Sequence, residues 1–310
     1  MFLSLFGLAG GIGMPMQTSI NAQLGRRVGS PFTAAMINFI VGTDVLIILV
    51  AIVERGFRIP FAQIAAAPPW ILLGGVFAVI FVTGNILLMP RLGSVQTVIL
   101  PALGQIIMGS LIDTFGWFDS AQRDMTALRI LGVALVFGGV MTVIIAKAGG
   151  LHPGAADKKD GPRHIWLWRA FGLIVGMSMA SQTAVNSHLG IVVESRFYAA
   201  LINFCVGLMI LIILHFALRS KRKPPQKEEK APFWIWAGGL FGDLFVIGNI
   251  ITAQTVGTGM AVVILLTGLM IGGLLVDQFG LFRSVRRKVG KIEILGVAIM
   301  VCGAILFHLM

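Results

Sequence analysis

Along the chain, apolar runs of about twenty residues alternate with short segments rich in Pro, Gly and charge. The runs lie at about 3–24, 31–53, 70–90, 94–115, 127–146, 166–189, 197–218, 233–252, 260–281 and 292–309. At about 1.5 Å of rise per residue, each is long enough to cross a hydrocarbon layer about 30 Å thick. The pattern therefore predicts an all-α integral membrane protein with ten transmembrane helices. All six tryptophans (Trp70, Trp117, Trp166, Trp168, Trp234, Trp236) fall at or just outside run ends, where indoles anchor at the headgroup level. Residues 1–24 are too long and too weakly basic at their start for a cleavable signal peptide, and read as the first span. The stretch GGLHPGAADKKDGPRH has no period and reads as a linker, dividing the chain into 1–148, 149–165 and 166–310.

A repeat spans that linker. FGLAGGIGMPMQTSINAQLGRRVGSPFTAAMINFIVG from Phe6 aligns without a gap with FGLIVGMSMASQTAVNSHLGIVVESRFYAALINFCVG from Phe171, at an offset of 165. Gln17 pairs with Gln182, Asn21 with Asn186, Asn38 with Asn203 and Gly42 with Gly207. The offset then becomes 164, pairing Gly84-Asn85 with Gly248-Asn249 and DTFGWF from Asp113 with DQFGLF from Asp277. Lipid can select shared Leu and Ile, but not shared Gln and Asn, which are costly in hydrocarbon, so the match reads as duplication.

Five spans per copy is an odd number, so the second copy enters the membrane in the opposite sense and the repeats are inverted. Of 24 Lys and Arg residues, only Arg55, Arg58, Arg123, Arg129 and Arg196 fall on the N-terminal side, and the other 19 lie opposite. The excess of basic charge marks the cytoplasmic face. Both termini are thus expected outside the cytoplasm, with the loop 219–230 and the linker inside.

Composition agrees: 57% of residues are apolar and 12% charged, and mean hydropathy is +0.92. A soluble domain cannot hide that much apolar side chain, which excludes an ordinary soluble enzyme. The net charge of +11 sits between the runs rather than among stacking aromatics, so it reads as topology and not as nucleic-acid binding. Cys205 and Cys302 lie inside apolar runs with no metal-ligand spacing, and neither a metal nor a cofactor is expected. Nor does any span carry DDxxD, HExxH or a Ser/His pair, so the chain is not expected to be an enzyme.

The polar residues in the runs are the candidates for function. Gln17 and Asn38 lie about 10 Å from the same, cytoplasmic, surface, and Gln17 and Asn21 share a helix face. Gln182, Asn186 and Asn203 mirror them near the outside. These amides serve either as helix locks or as inner and outer gate layers, and Asn85 with Asn249 joins that group. Asp113 and Asp277 sit near span ends, where the dipole disfavours an anion. Arg123 and Arg287, themselves repeat equivalents, are their expected partners.

Two acids break the symmetry: Asp44 corresponds to Met209 and Asp243 to Val79. Both are placed roughly 15 to 20 Å deep, the costliest positions in the chain. With Gln105, also near mid-membrane, they are the expected substrate- or proton-binding groups, Asp243 first because GGLFGD leaves room beside its carboxyl. Midplane acids lean toward an organic cation or proton coupling, while sugar-like and amino-acid-like solutes stay open. Pro15 and Pro101, facing Ala180 and Leu265, would make the halves unequal, and the fifth and tenth helices look like peripheral braces.

Two five-span repeats, each with Q-T-x-x-N, A-A-x-I-N-F-x-V-G, G-N and D-x-F-G-x-F, resemble a fused member of the bacterial YdcZ-like family of the drug/metabolite transporter superfamily. The resemblance covers nearly the whole chain apart from the linker. It implies a carrier in the cytoplasmic (inner) membrane, an exporter of small molecules, and the inverted repeats suit alternating access. The partners expected are a small-molecule substrate, protons and the lipid bilayer. A monomer suffices in principle, and an oligomer is compatible with the same architecture. A channel or a lipid-translocating protein is the alternative reading.

Overall fold

The computed structural model describes residues 4–55, 61–149, 162–218, 232–256 and 258–308. These are helical nearly throughout, with no strand among the described residues. Helix α1 is Ser4–Val28 and α2 is Pro31–Val53. The long apolar helix Leu73–Phe115 is interrupted at Gly93, where φ is 78° and ψ is 174°, and forms α3 (73–92) and α4 (94–115). Next come α5 Ala127–Gly149, α6 Pro162–Val192, α7 Arg196–Ala217, α8 Gly238–Val256, α9 Thr258–Phe279 and α10 Lys291–His308. The linker residues 150–161 and loop residues 219–231 lie outside the described residues.

Each first-hairpin turn is set by the same local chemistry. Ser30 caps α2 by accepting from the Thr33 amide at 3.3 Å, and Ser195 caps α7 by accepting from the Tyr198 amide at 3.2 Å. Such caps satisfy donors that the first helical turn leaves free.

Among the described residues, five segments are long and apolar enough to cross a membrane by length and composition alone: Pro31–Val53, Pro69–Phe115, Ala127–Ala146, Arg196–Ala217 and Val262–Phe279. The second holds 47 residues, about 70 Å of helix if straight, more than twice the hydrocarbon thickness. The break at Gly93 divides it into two lengths that each fit.

The first helix of each repeat packs on the third and fourth helices of the other: α1 on α8 and α9, and α6 on α3 and α4. Small residues permit this. A Cβ at Gly272 would lie 2.6 Å from the Ile12 carbonyl oxygen, and one at Gly268 would lie 3.0 Å from the Gly11 Cα. Likewise Gly104 and Gly176 abut the Leu173 and Pro101 carbonyls. Helices α2 and α7 interlock through aromatic rings, Phe204 over Gly42 and Phe39 over Gly207, with the two ring centroids 5.0 Å apart. Helices α5 and α10 pack on one another. A Cβ at Gly139 would lie 2.5 Å from the Gly296 oxygen, and one at Gly303 would lie 2.6 Å from the Gly132 oxygen.

Candidate functional site

At the end of the molecule that carries Arg26 and Arg27, here the basic end, three amides from α1 and α2 form a chain. Gln17 Nε2 donates to Asn38 Oδ1 at 3.2 Å, and Asn38 Nδ2 donates to Asn21 Oδ1 at 3.4 Å. All three residues are buried, and in an apolar setting such bonds persist because an unpaired amide is costly. Helix α8 lies directly against them. Gly238 touches the Asn21 side chain, and a Cβ at Gly242 would lie 2.7 Å from Gln17 Nε2. Only glycine lets the α8 backbone approach so closely.

The residue after Gly242 is Asp243. It is 2% exposed, and neither carboxylate oxygen has a hydrogen-bond partner among the described residues. Its Oδ1 would be 3.3 Å from a Cβ on Gly42, beside the Phe204 ring. Depth and glycine flanks mark this residue in the sequence, and the fold brings it to the Gln17–Asn38–Asn21 layer. Asp44 goes elsewhere. It stands only two residues from Gly42, hence on the opposite side of α2, exposed in a strip with Ile40, Ile47 and Ile48. Gln105 is half-buried on α4 and Asn85 is buried on α3. The Asn249 side chain lies outside the described residues.

At the opposite end the equivalent amides meet α3. Gly74 touches Asn186 Oδ1, and its Cβ would lie 2.7 Å from Asn203 Oδ1. Here Gln182 Oε1, Asn186 Oδ1 and both polar atoms of Asn203 are buried without a hydrogen-bond partner among the described residues.

The two helix-end acids diverge as well. Asp113 Oδ2 accepts from Arg129 Nη2 at 2.6 Å, so its cation is Arg129 and not the expected Arg123. Arg123 is exposed, and its backbone N–H donates to the Asp113 carbonyl at 2.8 Å. Arg129 is 1% exposed and lies over the Phe307 ring at 4.7 Å. The signal that could have found it is a charge exchange at equal offset, since Arg129 corresponds to Glu293.

Asp277 and Arg287 both sit at the Gly93 break. Asp277 Oδ1 accepts from the Ser94 amide at 3.0 Å and Oδ2 from the Val95 amide at 3.3 Å, while Arg287 Nη1 donates to the Leu92 carbonyl at 3.0 Å. Donors and an acceptor freed by the break are thereby satisfied from the other repeat. The dipole objection to Asp277 at the end of α9 is answered, because the same carboxylate faces the positive N-terminus of α4.

The fold adds a matched pair of aromatic clusters whose members are repeat equivalents at the offset of 164. Trp70 packs on Phe118 at 5.8 Å and Phe77 on Phe118 at 6.3 Å; Trp234 packs on Phe282 at 5.4 Å and Phe241 on Phe282 at 6.1 Å. Phe118 and Phe282 both have left-handed backbone, with φ of 58° and 53°, costing of order 1 kcal/mol each. The shared strain aims both rings inward. His188 joins the first cluster, 4.9 Å from Trp70 and 3.7 Å from the Asp119 carboxylate.

Fold and site together define an all-helical, multi-pass membrane protein that holds amide layers between repeat-related helices. No curated protein matches the chain. A family model described as "Putative inner membrane exporter, YdcZ" matches residues 2–142 and again 167–306, and the chain belongs to that family. It is accordingly an inner-membrane protein of a transport family, and each repeat carries a copy of the family pattern.

Proposed function

We propose that the protein is a proton-coupled secondary transporter that exports a small organic solute by alternating access. In this reading ten helices cross the membrane as two inverted repeats, 1–148 and 166–310, joined by a cytoplasmic linker at 149–165, with both termini outside. The observation that carries it is Asp243: an acid 2% exposed, without a partner for either oxygen among the described residues, one residue from the contact with Gln17. A carboxyl so placed is a functional group by default, because folding gains nothing from it. Protonated, it suits its buried position; when the adjoining helices part, water reaches it and the proton can leave.

The two amide layers supply gates of the right kind. Separation of α1 from α8 wets one layer, and separation of α6 from α3 wets the other. Inverted repeats give the two open forms similar energies. Asp44, exposed on the far side of α2, has a lesser role than Asp243 in this mechanism.

The test is transport by reconstituted proteoliposomes under an imposed pH gradient, using a solute found by thermal-shift screening. Asp243→Asn should fold and still exchange solute, yet lose gradient-driven accumulation. Accumulation by the variant at the wild-type level would remove Asp243 from coupling. Flux that neither saturates nor shows countertransport would indicate a channel.

A further inference from the structure

Phe39 and Phe204 are repeat equivalents, and so are Gly42 and Gly207. The Phe39 ring fills the notch at Gly207 and the Phe204 ring fills the notch at Gly42, with the centroids 5.0 Å apart and the planes inclined at 31°. Exchanging the repeats therefore turns this contact into itself. Gly42 follows the capping Ser30, and Gly207 the capping Ser195, by the same length of helix, about 18 Å. In the proposed topology both notches fall near the middle of the hydrocarbon layer.

Alternating access gives this contact a special standing. When two open forms are related by exchange of the repeats, every contact of one form becomes its equivalent in the other. A bonded amide layer at one end becomes a bonded layer at the other. The ring pair, being its own equivalent, is present in both forms. Each ring follows directly on an amide of its layer, Phe39 on Asn38 and Phe204 on Asn203. Because α2 and α7 pair antiparallel, residue 39 against 207 and 42 against 204, both rings lie between the two layers.

What differs is the neighbour of each ring. A Cβ on Gly239 would lie 2.7 Å from the Val41 Cβ, and one on Gly75 would lie 2.7 Å from the Val206 Cβ, so α8 sits on α2 as α3 sits on α7. One turn further along the same faces come Asp243 and its equivalent Val79. Asp243 Oδ1 is 3.3 Å from the place of a Gly42 Cβ, and the Phe204 ring comes within 2.5 Å of that place. Val79 is buried in the cluster that contains Phe39. The carboxyl and Phe204 thus share one notch, and the equivalent position carries a valine. Phe204 is half-buried while Asp243 is 2% exposed, so the ring reaches the surface at the seam between α2 and α7 and the acid does not. Removing a ring from a packed site leaves a cavity. Beside a carboxyl such a cavity can hold water, whereas beside valine it stays dry.

We propose that the Phe39–Phe204 pair is a barrier kept closed in both conformations, and that Phe204 is the positioning residue that shields Asp243 across the α2–α7 seam, so that the carboxyl is reached only when α1 and α8 part. This rests on the transporter reading and adds to it the residue that keeps proton exchange one-sided.

Full-length protein in phosphatidylcholine nanodiscs is treated with dicyclohexylcarbodiimide, an apolar reagent that adds to protonated carboxyls, and modification of each acid is followed by peptide mass spectrometry. Asp243→Asn sets the background, and wild-type Asp243 should react slowly. Phe204→Ala should raise the rate at Asp243 by about tenfold or more. Gly42→Ala, whose Cβ would displace the Phe204 ring, should act in the same direction with the ring still present. Phe204→Leu keeps the notch filled and should stay within about twofold of the wild type. Phe39→Ala and Gly207→Ala, the equivalent changes on the Val79 side, should stay there too. Asp277, equally buried at 2% exposure but set at the Gly93 break, is the internal reference and should not change. A wild-type rate in Phe204→Ala or Gly42→Ala, equal acceleration in Phe39→Ala, or a parallel rise at Asp277, which marks general loosening, overturns the proposal. Neither solute nor gradient enters this measurement, so a failed labelling contrast and a failed coupling test of Asp243→Asn are told apart.

Discussion

The two amide layers have the same residues at the same spacing and different states. Gln17, Asn21 and Asn38 are joined by two hydrogen bonds, whereas Gln182, Asn186 and Asn203 leave four buried polar atoms without a partner among the described residues. Each layer packs on glycine from the other repeat, Gly238 in one case and Gly74 in the other. Under the proposed alternating-access mechanism, identical chemistry held in two arrangements is what a two-state carrier needs in any one of its conformations: one layer bonded, the other held by packing. On that proposal the difference belongs to a conformation rather than to the sequence.

The largest expected effect lies at the helix ends, where the same divergence is expressed in charge. Asp113→Leu strands the buried Arg129 and should lower unfolding stability by about 3 to 5 kcal/mol, read by thermal unfolding in detergent. Arg129→Leu together with Asp113→Leu should recover most of that loss. Equal damage in the double variant would show that the pair matters for something other than its own charge balance.

Next comes Gly93→Ala. The backbone there is left-handed and a Cβ would meet the Arg287 guanidinium, so a loss of at least about 1 kcal/mol is expected, with weaker protection of the Ser94 and Val95 amides in hydrogen exchange. An unaltered exchange rate would mean that Asp277 and Arg287 do not hold the break.

The amide layers themselves come third. Asn38→Leu should cost about 1 to 2 kcal/mol because Gln17 and Asn21 lose their common partner, while Asn203→Leu should cost less, having no bond to break. The two variants should also shift cysteine accessibility in opposite directions, Asn38→Leu toward opening of the basic end. Equal costs and a common direction would reduce the comparison to simple destabilisation. Smallest is Asp44→Met, which copies the equivalent residue Met209 and should stay within about 0.5 kcal/mol of the wild type.

Much of this was legible in the sequence because hydrocarbon makes polar residues expensive. Gln17 and Asn38 recur as Gln182 and Asn203, and the segments 2–142 and 167–306 each match the family pattern, in agreement with the duplication. Depth singled out Asp44 and Asp243 alike, yet depth says nothing about which side of a helix an acid occupies. The neighbouring isoleucines of Asp44 carried that information. Arg129 was hidden because its equivalent carries the opposite charge. The amide contacts of Asp277 could not be read, since the Ser94 and Val95 amides lie more than 180 positions away and backbone groups leave no mark on composition.

The contact between α5 and α10 has a consequence for ancestry. Gly132 faces Gly303 while Gly139 faces Gly296, and Gly132 and Gly139 are themselves the equivalents of Gly296 and Gly303. Each patch thus meets its own copy, the self-complementary geometry of a two-fold homodimer carried within one polypeptide. Two unfused five-helix subunits could recognise each other through the same glycines. Fusion contributes effective concentration rather than a new surface, and it frees the halves to diverge, as the arginines at one end and His188 with Asp119 at the other already have.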